Sequence, residues 1–575
     1  MKVGLVGPTF SQRSLPFNAQ RSINLYPVFD QQGKEVAALY GTPGKVLFSN
    51  TGVGPIRGLF ASENGRAFGV SASNLVEVFQ NGSFNSIGSL DQTEGAVTIA
   101  ENAHQIAVCD GRKLYIAGYG TRNFIANGNF NNSDGWTLGS GWSIGSGIAT
   151  ATSASAALSR NTAFPIKEGA RYKVTFTITR TGGTITPAIG GTNGTAVDAS
   201  GTYTQEIVAG SSQLFAFNTS SFTGTLDNVF VDTAYQIVDT GFDVSTIDFI
   251  DGYFVASEAF TGRFKISALN DGLRWDVLDF ATAGSSPDDL NRVFRAVGQL
   301  WLFGETTTEI WTNTGGSAFP FRRIAGAVIE VGIVSPFSTV EIDNGVIFLG
   351  KDKNGSGIVY KTQGFNPVRI STTPIEKRIQ SSARTNQIMG YCYQEEGHFF
   401  YVLTGGGLET SLVYDLTTQQ WHERAFTEED GKFGQDLAID HMFAFGRHLV
   451  GDRKSGRIYE QRLDFYDDAG FPLVRERIYT HLSDEGRRIR YNALEVGFET
   501  GVGLQSGQGE NPLVSLQVSK DGARTWSDAY TASIGRAGDY GRKVEFRRLG
   551  TSKQMTFRIR ISDPVKVAII GSYIR

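Results

Sequence analysis

Apolar and polar positions alternate in short runs along most of this chain, and the clearest run is written twice between Asn291 and Lys361. Val293-Phe294-Arg295-Ala296-Val297 meets a turn at Gly298, and Leu300-Trp301-Leu302-Phe303, Glu309-Ile310-Trp311 and Phe321-Arg322-Arg323-Ile324 follow. The same four beats return as Val340-Glu341-Ile342, a turn at Asp343-Asn344-Gly345, Val346-Ile347-Phe348-Leu349, Ile358-Val359-Tyr360 and Val368-Arg369-Ile370. Period-2 alternation predicts half-buried strands. Four such strands repeated every ~40 to 50 residues predict the blades of a β-propeller.

The third beat is the most regular, an aliphatic or aromatic residue usually followed by an aromatic one. It occurs at Leu75-Val76, Leu114-Tyr115, Phe264-Lys265, Ile310-Trp311, Val359-Tyr360, Val413-Tyr414 and Ile458-Tyr459. Hairpins precede these beats at Asn64-Gly65, Asn102-Ala103, Asp251-Gly252, Gly298, Asn344-Gly345, Glu396-Gly397 and Phe445-Gly446; several carry the Asn-Gly or Asp-Gly that supplies positive φ. A lone four-stranded blade cannot cover its two faces, so radial packing of six or seven blades is the expected solution. A set of unrelated antiparallel sandwiches is the alternative.

The expected fold is all-β, in five parts. Residues 1–55, punctuated by Pro8, Pro16, Pro27, Pro43 and Pro55, should run extended as an arm or outer strand. Blades occupy 56–121 and 234–472, and 122–233 is an insertion before the strand Tyr235-Gln236-Ile237-Val238. The insertion is rich in Gly, Ser, Thr and Asn, poor in charge, and alternates over Arg171-Tyr172-Lys173-Val174-Thr175-Phe176-Thr177-Ile178. An exposed turn accepts such a domain at small entropic cost. Residues 473–575 form a last β region with alternation at Ala493 to Phe498, Val514 to Val518, Lys543 to Leu549 and Met555 to Ile561. Arg547, Arg548, Arg558 and Arg560 are expected on its polar face as one basic stripe, for a partner subunit or phosphate, or simply solvated.

Composition sharpens this picture. Seventy Gly, 40 Phe and 20 Tyr beside four Met describe turn-rich sheets with aromatic packing. Lys and Arg number 53 against 57 Asp and Glu, a formal charge of -4, so the overall basic footprint of a nucleic-acid binder is missing. Cys109 and Cys392 are too few and too far apart for a disulfide framework and read as reduced core residues. The opening Met1-Lys2-Val3-Gly4-Leu5-Val6-Gly7-Pro8 is too short an apolar run for a signal peptide, and no stretch is long enough to span a membrane. Synthesis in a cytoplasm, without export or membrane insertion, is expected.

Candidate chemistry is sparse. The six His (His104, His398, His422, His441, His448, His481) show no metal-ligand spacing and read as structural or surface residues. Gly41-Thr42-Pro43-Gly44-Lys45 lacks the strand and the Gly spacing of a phosphate loop. Ser519-Lys520-Asp521-Gly522-Ala523-Arg524-Thr525-Trp526 resembles the Asp-box hairpin of sialidase propellers, a structural turn, with Ala523 where glycine is usual. A catalytic carboxylate pair is the rival chemistry.

Two broader resemblances complete the reading. Asn127-Gly128-Asn129-Phe130, Asp134-Gly135-Trp136, Phe164 to Tyr172 and Leu226-Asp227-Asn228-Val229 resemble strands of carbohydrate-binding-module jelly rolls. That resemblance implies a structural calcium at Asp227, with Trp142 and Tyr203 as sugar-stacking candidates or core residues. No other cofactor is expected.

Arg21-Ser22-Ile23-Asn24-Leu25-Tyr26-Pro27 and Tyr40-Gly41-Thr42-Pro43-Gly44 resemble the N-terminal signature of the packaged-DNA stabilisation proteins of short-tailed bacteriophages, also called tail hub or nozzle proteins. Leu300 to Gly304, Thr308 to Trp311 and Val518 to Arg575 are similar to the same family. The resemblance implies a non-enzymatic virion protein. It would form a homo-hexamer that meets the portal adaptor above and a tail needle or tip below, with fibres or tailspikes at its sides, and would retain and then pass duplex DNA. The jelly-roll insertion reads as a departure from that plan, pointing outward to a neighbour, a fibre or host surface glycan. A glycan-binding or glycan-hydrolysing propeller is the alternative function.

Overall fold

The computed structural model describes residues 2–4, 6–30, 37–118, 123–160, 166–316, 319–479 and 481–575. The expected insertion boundary at 121/122 and Phe164-Pro165 of the jelly-roll motif lie outside the described residues. Strands dominate, and the described helix is one eight-residue α-helix, Thr373–Gln380, with two short 3-10 turns. By internal contacts the chain forms two compact units. One holds residues 1–96, 301–310 and 323–575, the other 97–300 and 311–322. This is a coarser division than the five parts expected from sequence.

Among the described residues, seven antiparallel meanders follow in chain order. Their strands fall in 56–89, in 98–118 with Gln236–Val238, in 244–282, 290–329, 340–369 and 388–427, and in 438–462 with Gly44–Asn50. Each apolar-aromatic pair found in the sequence lies on the third strand of its meander: Leu75 on Asn74–Val78, Tyr115 on Leu114–Gly118, Tyr459 on Arg457–Arg462. These strands sit inside the sheet, covered on both faces, which is why their residues are apolar in succession rather than alternating. Asp251, Val297, Asp343, Asn344, Glu396 and Phe445 carry positive φ at the hairpin tips, the backbone that a tight antiparallel return requires.

In the first unit, faces of successive sheets meet through apolar layers. Ile347, Leu349 and Val359 pack with Ile388, Tyr401 and Leu403. Tyr393, Phe400 and Val413 pack with Val450 and Tyr459, and Met442, Leu449 and Ile458 pack with Ile56, Leu59 and Val76. The last meander thus meets the first. Its fourth strand comes from the start of the chain: Gly44–Asn50 pairs antiparallel with Arg457–Arg462, from Asn50 opposite Arg457 to Gly44 opposite Arg462. Gly44 is a glycine because a Cβ there would stand 2.3 Å from the Asp467 carbonyl oxygen.

The end of the chain is a two-layer sandwich in the same unit. Ile489–Phe498, Val544–Ser552 and Ala568–Ile574 form one sheet, extended by Leu25–Phe29 and Ala37–Gly41. Leu513–Ser519, Tyr530–Ser533, Gln554–Ile561 and Arg475–Ile478 belong to the other. Leu494, Val496, Phe546 and Ile569 meet Val514, Leu516, Phe557 and Ile559 between them.

In the second unit, Leu114–Gly118 pairs directly with Gln236–Val238, and the strands from Trp136–Leu138 to Phe215–Thr233 pair only among themselves. Two of these, Arg171–Ile189 and Phe215–Thr233, are 19 residues long and bulged. The insertion has no core of its own. Trp136, Tyr172, Phe176 and Phe217 belong to one apolar cluster with Leu114, Ile116, Val244, Phe254 and Leu273. Arg274 Nη2 also donates to the Ile166 carbonyl at 3.0 Å.

Candidate functional site

The first fifty residues feed three sheets, and their junctions concentrate the buried polar groups of the first unit. Ala19–Ile23 lies between two distant strands. Ile23 pairs in parallel with Glu423 on Gln420–Thr427, and Arg21 to Ile23 pair antiparallel with Ile478 to Glu476. A single twelve-stranded sheet therefore runs from the sixth meander through this strand into the sandwich.

At its centre Glu423 is fully buried between two guanidinium groups. Arg21 donates from Nε (3.0 Å) and Nη2 (2.6 Å), and Arg378 Nη2 donates at 2.9 Å. The Thr410 hydroxyl adds a bond of 2.7 Å and the Thr9 hydroxyl one of 3.1 Å. Burial alone would raise the Glu423 carboxyl, but the charges and hydrogen bonds of Arg21 and Arg378 outweigh it and hold the group well below the usual carboxylate range. Glu409, at the solvent side, lies 3.4 Å from Arg21 and 3.7 Å from Arg378. Arg378 is delivered by the helix Thr373–Gln380, whose Pro374 sits in the first turn and whose Ile375 and Ile379 fall on one buried face.

Asn24 makes the second link. Its backbone has φ 54, a left-handed conformation that Asn adopts more readily than most residues. Nδ2 donates to the carbonyls of Ala425 (2.9 Å) and Val474 (2.8 Å), and Oδ1 accepts from Ala425 N–H at 2.9 Å. One side chain thereby serves as a strand rung between the sixth meander and the segment entering the sandwich. Asn24→Ala is expected to cost about 1–3 kcal/mol for each backbone group left unpaired. Asn24→Asp, which would set a buried carboxylate against the Ala425 and Val474 carbonyls, should be at least as destabilising in a urea titration.

Tyr26 is buried with its ring 5.4 Å from Phe400 and 5.3 Å from His398. His398 Nδ1 lies 2.7 Å from Asp415. Burial pushes the neighbouring His422 down to about 4, so that imidazole is neutral. Arg477 is enclosed by the Pro8 and Arg21 carbonyls (3.2 Å each) and Gln20 Oε1 (2.7 Å), and burial lowers its guanidinium to about 10.

One concave feature of this unit is a cleft of about 640 Å³. Leu59 to Ala61, Cys392 to Gln394, His441 to Phe443 and His448 line it. His441 Nε2 and His448 Nδ1 are 3.0 Å apart, and burial followed by the His448 charge pushes His441 down to about 3. Burial raises the Cys392 thiol to about 11, which keeps it out of the nucleophilic thiolate form. Cys109 is a core residue, whereas Cys392 is only half-buried, at this cleft.

The residues singled out from sequence are dispersed. Trp142 is buried, stacks on Phe222 at 6.0 Å and donates from its indole nitrogen to the Ala156 carbonyl, leaving no face for a sugar. Tyr203 keeps one face on Phe176 at 5.8 Å and donates its hydroxyl to the Ala199 carbonyl. The Asp227 carboxylate accepts from the backbone and side-chain N–H groups of Asn228. Among the described residues no group of three His, Cys, Asp or Glu is placed to hold a metal ion.

The expected single basic stripe divides in two. Arg547 and Arg548 lie on Val544–Ser552 in one layer of the sandwich, Arg558 and Arg560 on Gln554–Ile561 in the other. Arg547 pairs with Glu545 at 2.8 Å, Arg558 covers Trp526 at 4.4 Å, and Arg560 pairs with Glu476. In the Asp-box-like turn, Asp521 accepts from Thr525 N–H at 3.0 Å and from its hydroxyl at 2.6 Å, a carboxylate engaged by its own loop. Among the described residues, no helix is long and apolar enough to cross a membrane. Nothing in the sequence singles out Glu423 or Arg378, and Arg21 and Asn24 enter it only as members of the N-terminal motif, not as site residues.

Comparison with protein-family models gives two matches. Residues 1–140 and 143–465 match the family described as Bacteriophage P22 Gp10, beta-propeller. Residues 475–575 match Bacteriophage P22 Gp10, beta-sandwich. The matched ranges span most of residues 122–233. No curated protein matches the chain. With both architectures matched over nearly all its length, the chain belongs to the P22 Gp10 family of packaged-DNA stabilisation, or tail hub, proteins of short-tailed bacteriophages, and is a structural tail protein built as a β-propeller followed by a β-sandwich.

Proposed function

We propose that this chain is the subunit of a homo-hexameric hub, or nozzle, that closes the portal-adaptor channel, retains the packaged genome and becomes the conduit for its ejection. Fibres or tailspikes would dock at its sides and a needle or tip below. One observation carries this reading. The N-terminal segment joins the sixth meander to the sandwich by strand pairing and the buried Arg21–Glu423 pair, and completes the seventh meander beside the buried Lys45–Asp436 pair, as a body that transmits load requires. The seven meanders are taken as the blades of one propeller.

A formal charge of -4 supports a channel wall that lets DNA slide. The duplex carries one phosphate charge per ~1.7 Å, and a strongly basic wall would grip it at many points. Native mass measurement of the purified protein should give a hexamer, and particles lacking it should fill with DNA and then lose it. A solitary chain, or full retention without it, would refute the hub.

The inserted sheet is assigned to peripheral contact with a neighbour, a fibre or a surface glycan. Replacing residues 123–233 with a short Gly-Ser linker is expected to preserve hexamers while reducing attachment of particles to cells. The replacement also uncovers Leu114 and Leu273, so it should lower thermal stability. Loss of assembly would place the insertion inside the ring contacts instead.

A further inference from the structure

Lys45 stands on the strand Gly44–Asn50 that completes the seventh meander, and it is 3 % exposed. Its ammonium nitrogen lies 2.6 Å from Asp436 Oδ1 and 3.0 Å from Asp468 Oδ1. Both carboxylates are buried as well. The outer oxygens, Asp436 Oδ2 and Asp468 Oδ2, are enclosed without a hydrogen-bond partner. Lys45 and Asp468 are also backbone neighbours, paired in parallel, and Ala469 N–H donates to the Lys45 carbonyl at 2.8 Å. An amine and two carboxyl groups are therefore held in contact, in a place closed to water, by three segments that the fold brings from far apart.

We propose that Lys45 and Asp468 condense into an intramolecular isopeptide bond, with Asp436 acting as the base. The Lys45 ammonium passes one proton to Asp436. The free amine attacks Cγ of the protonated Asp468 carboxyl, forming the Nζ–Cγ bond. As the tetrahedral adduct collapses, a Cγ–O bond breaks, and the hydroxyl leaves as water with a proton from the same nitrogen. The products are a secondary amide, one water and a protonated Asp436; no electrons are transferred. Asp468 is the electrophile because burial, with the charge of Asp436 beside it, favours its neutral form.

The reactive arrangement is a minor one, since the two carboxylates outweigh burial and hold Lys45 as ammonium. Fixed contact compensates: well-oriented intramolecular groups reach effective molarities of roughly 10⁵–10⁸ M. Arg424, also buried and within electrostatic reach of both carboxylates, stabilises whichever remains ionised. The bond joins residues 423 apart in the chain and would enclose every meander in one covalent loop. Closure by a borrowed strand would then persist where hydrogen bonds alone could peel under load.

The test is the mass of the purified full-length chain, unfolded in denaturant, followed by peptide mapping. The expected result is a mass lower by one water than the sequence requires, with the Lys45 peptide joined to the Asp468 peptide. Asp436→Asn, close in shape, should fold and leave the chain unlinked. Asp468→Asn should link with loss of ammonia in place of water. A full unmodified mass with a linear Lys45 peptide in the wild-type protein would overturn the proposal, as would a link that forms unchanged in Asp436→Asn.

Discussion

A chain beginning at residue 51 is expected not to fold in its first unit, although it keeps every residue of the first six meanders. The truncation removes the fourth strand of the seventh meander and the strand that joins the sixth to the sandwich. It also removes Leu25–Phe29 and Ala37–Gly41 from the edge of a sandwich sheet. Ile23, Leu25, Tyr26 and Leu39 are each at most 2 % exposed. Burial of side chains of this size contributes about 1.5–3 kcal/mol apiece, against a net stability of about 5–15 kcal/mol for a whole domain. Glu423 and Arg378 would lose Arg21, and Asp436 and Asp468 would lose Lys45. Expression of the truncated chain, alone and with residues 1–50 supplied as a separate peptide, is the measurement. Aggregation alone and recovery with the peptide are expected; a soluble, cooperatively melting truncated chain would sink the claim.

Glu423→Gln is expected to destabilise the first unit by about 3–5 kcal/mol, the usual consequence of removing one member of a buried ion pair. Arg21 and Arg378 would be left facing each other across an amide. The wild-type protein should owe part of its acid sensitivity to this group. Because the folded carboxyl is held far below its unfolded value, the stability it adds is complete above about pH 4.3 and is lost as pH falls below that. The buried imidazoles act earlier. His422, pushed down to about 4, and His441, pushed down to about 3, bind protons more readily when unfolded, so stability declines as pH falls below about 6.5. Urea midpoints between pH 3 and pH 8 should show Glu423→Gln less stable throughout, with a shallower loss at the acid end. An equal offset at every pH would mean that Glu423 does not titrate with folding.

The two effects share a cause. Side chains from opposite ends of the sequence meet in places without water, where a charge is tolerated only beside its counter-charge. That also explains why the N-terminal motif reads as it does. Ile23 is fully buried, Leu25 enters the sandwich core, Arg21 and Asn24 supply polar contacts beside them, and Tyr26 enters the sixth and seventh meanders. A segment that looked like a loose, proline-spaced arm is bound more closely than many of the blade strands.

The alternating pattern, by itself, determined the strands, the hairpin tips and the place of each third strand, from Leu75 to Tyr459. Those features depend on which neighbours two residues away share a face and on which residues accept positive φ, and both are local. It also determined that the chain would be all-β. Only the tertiary structure decided which sheet each outlying strand joins. Gly44–Asn50 completes a meander whose other strands begin at Ala438, because nothing local records a partner some four hundred residues away. The same limit governed the candidate residues. Arg547 and Arg558 separate because their neighbouring strands enter different layers, and Trp142 turns into the core because Phe222 waits for it there. Charge pairing is longer in range still: Arg21, Arg378 and Glu423 become one site only when a strand, a helix and a second strand arrive together, and that meeting is a property of packing rather than of pattern.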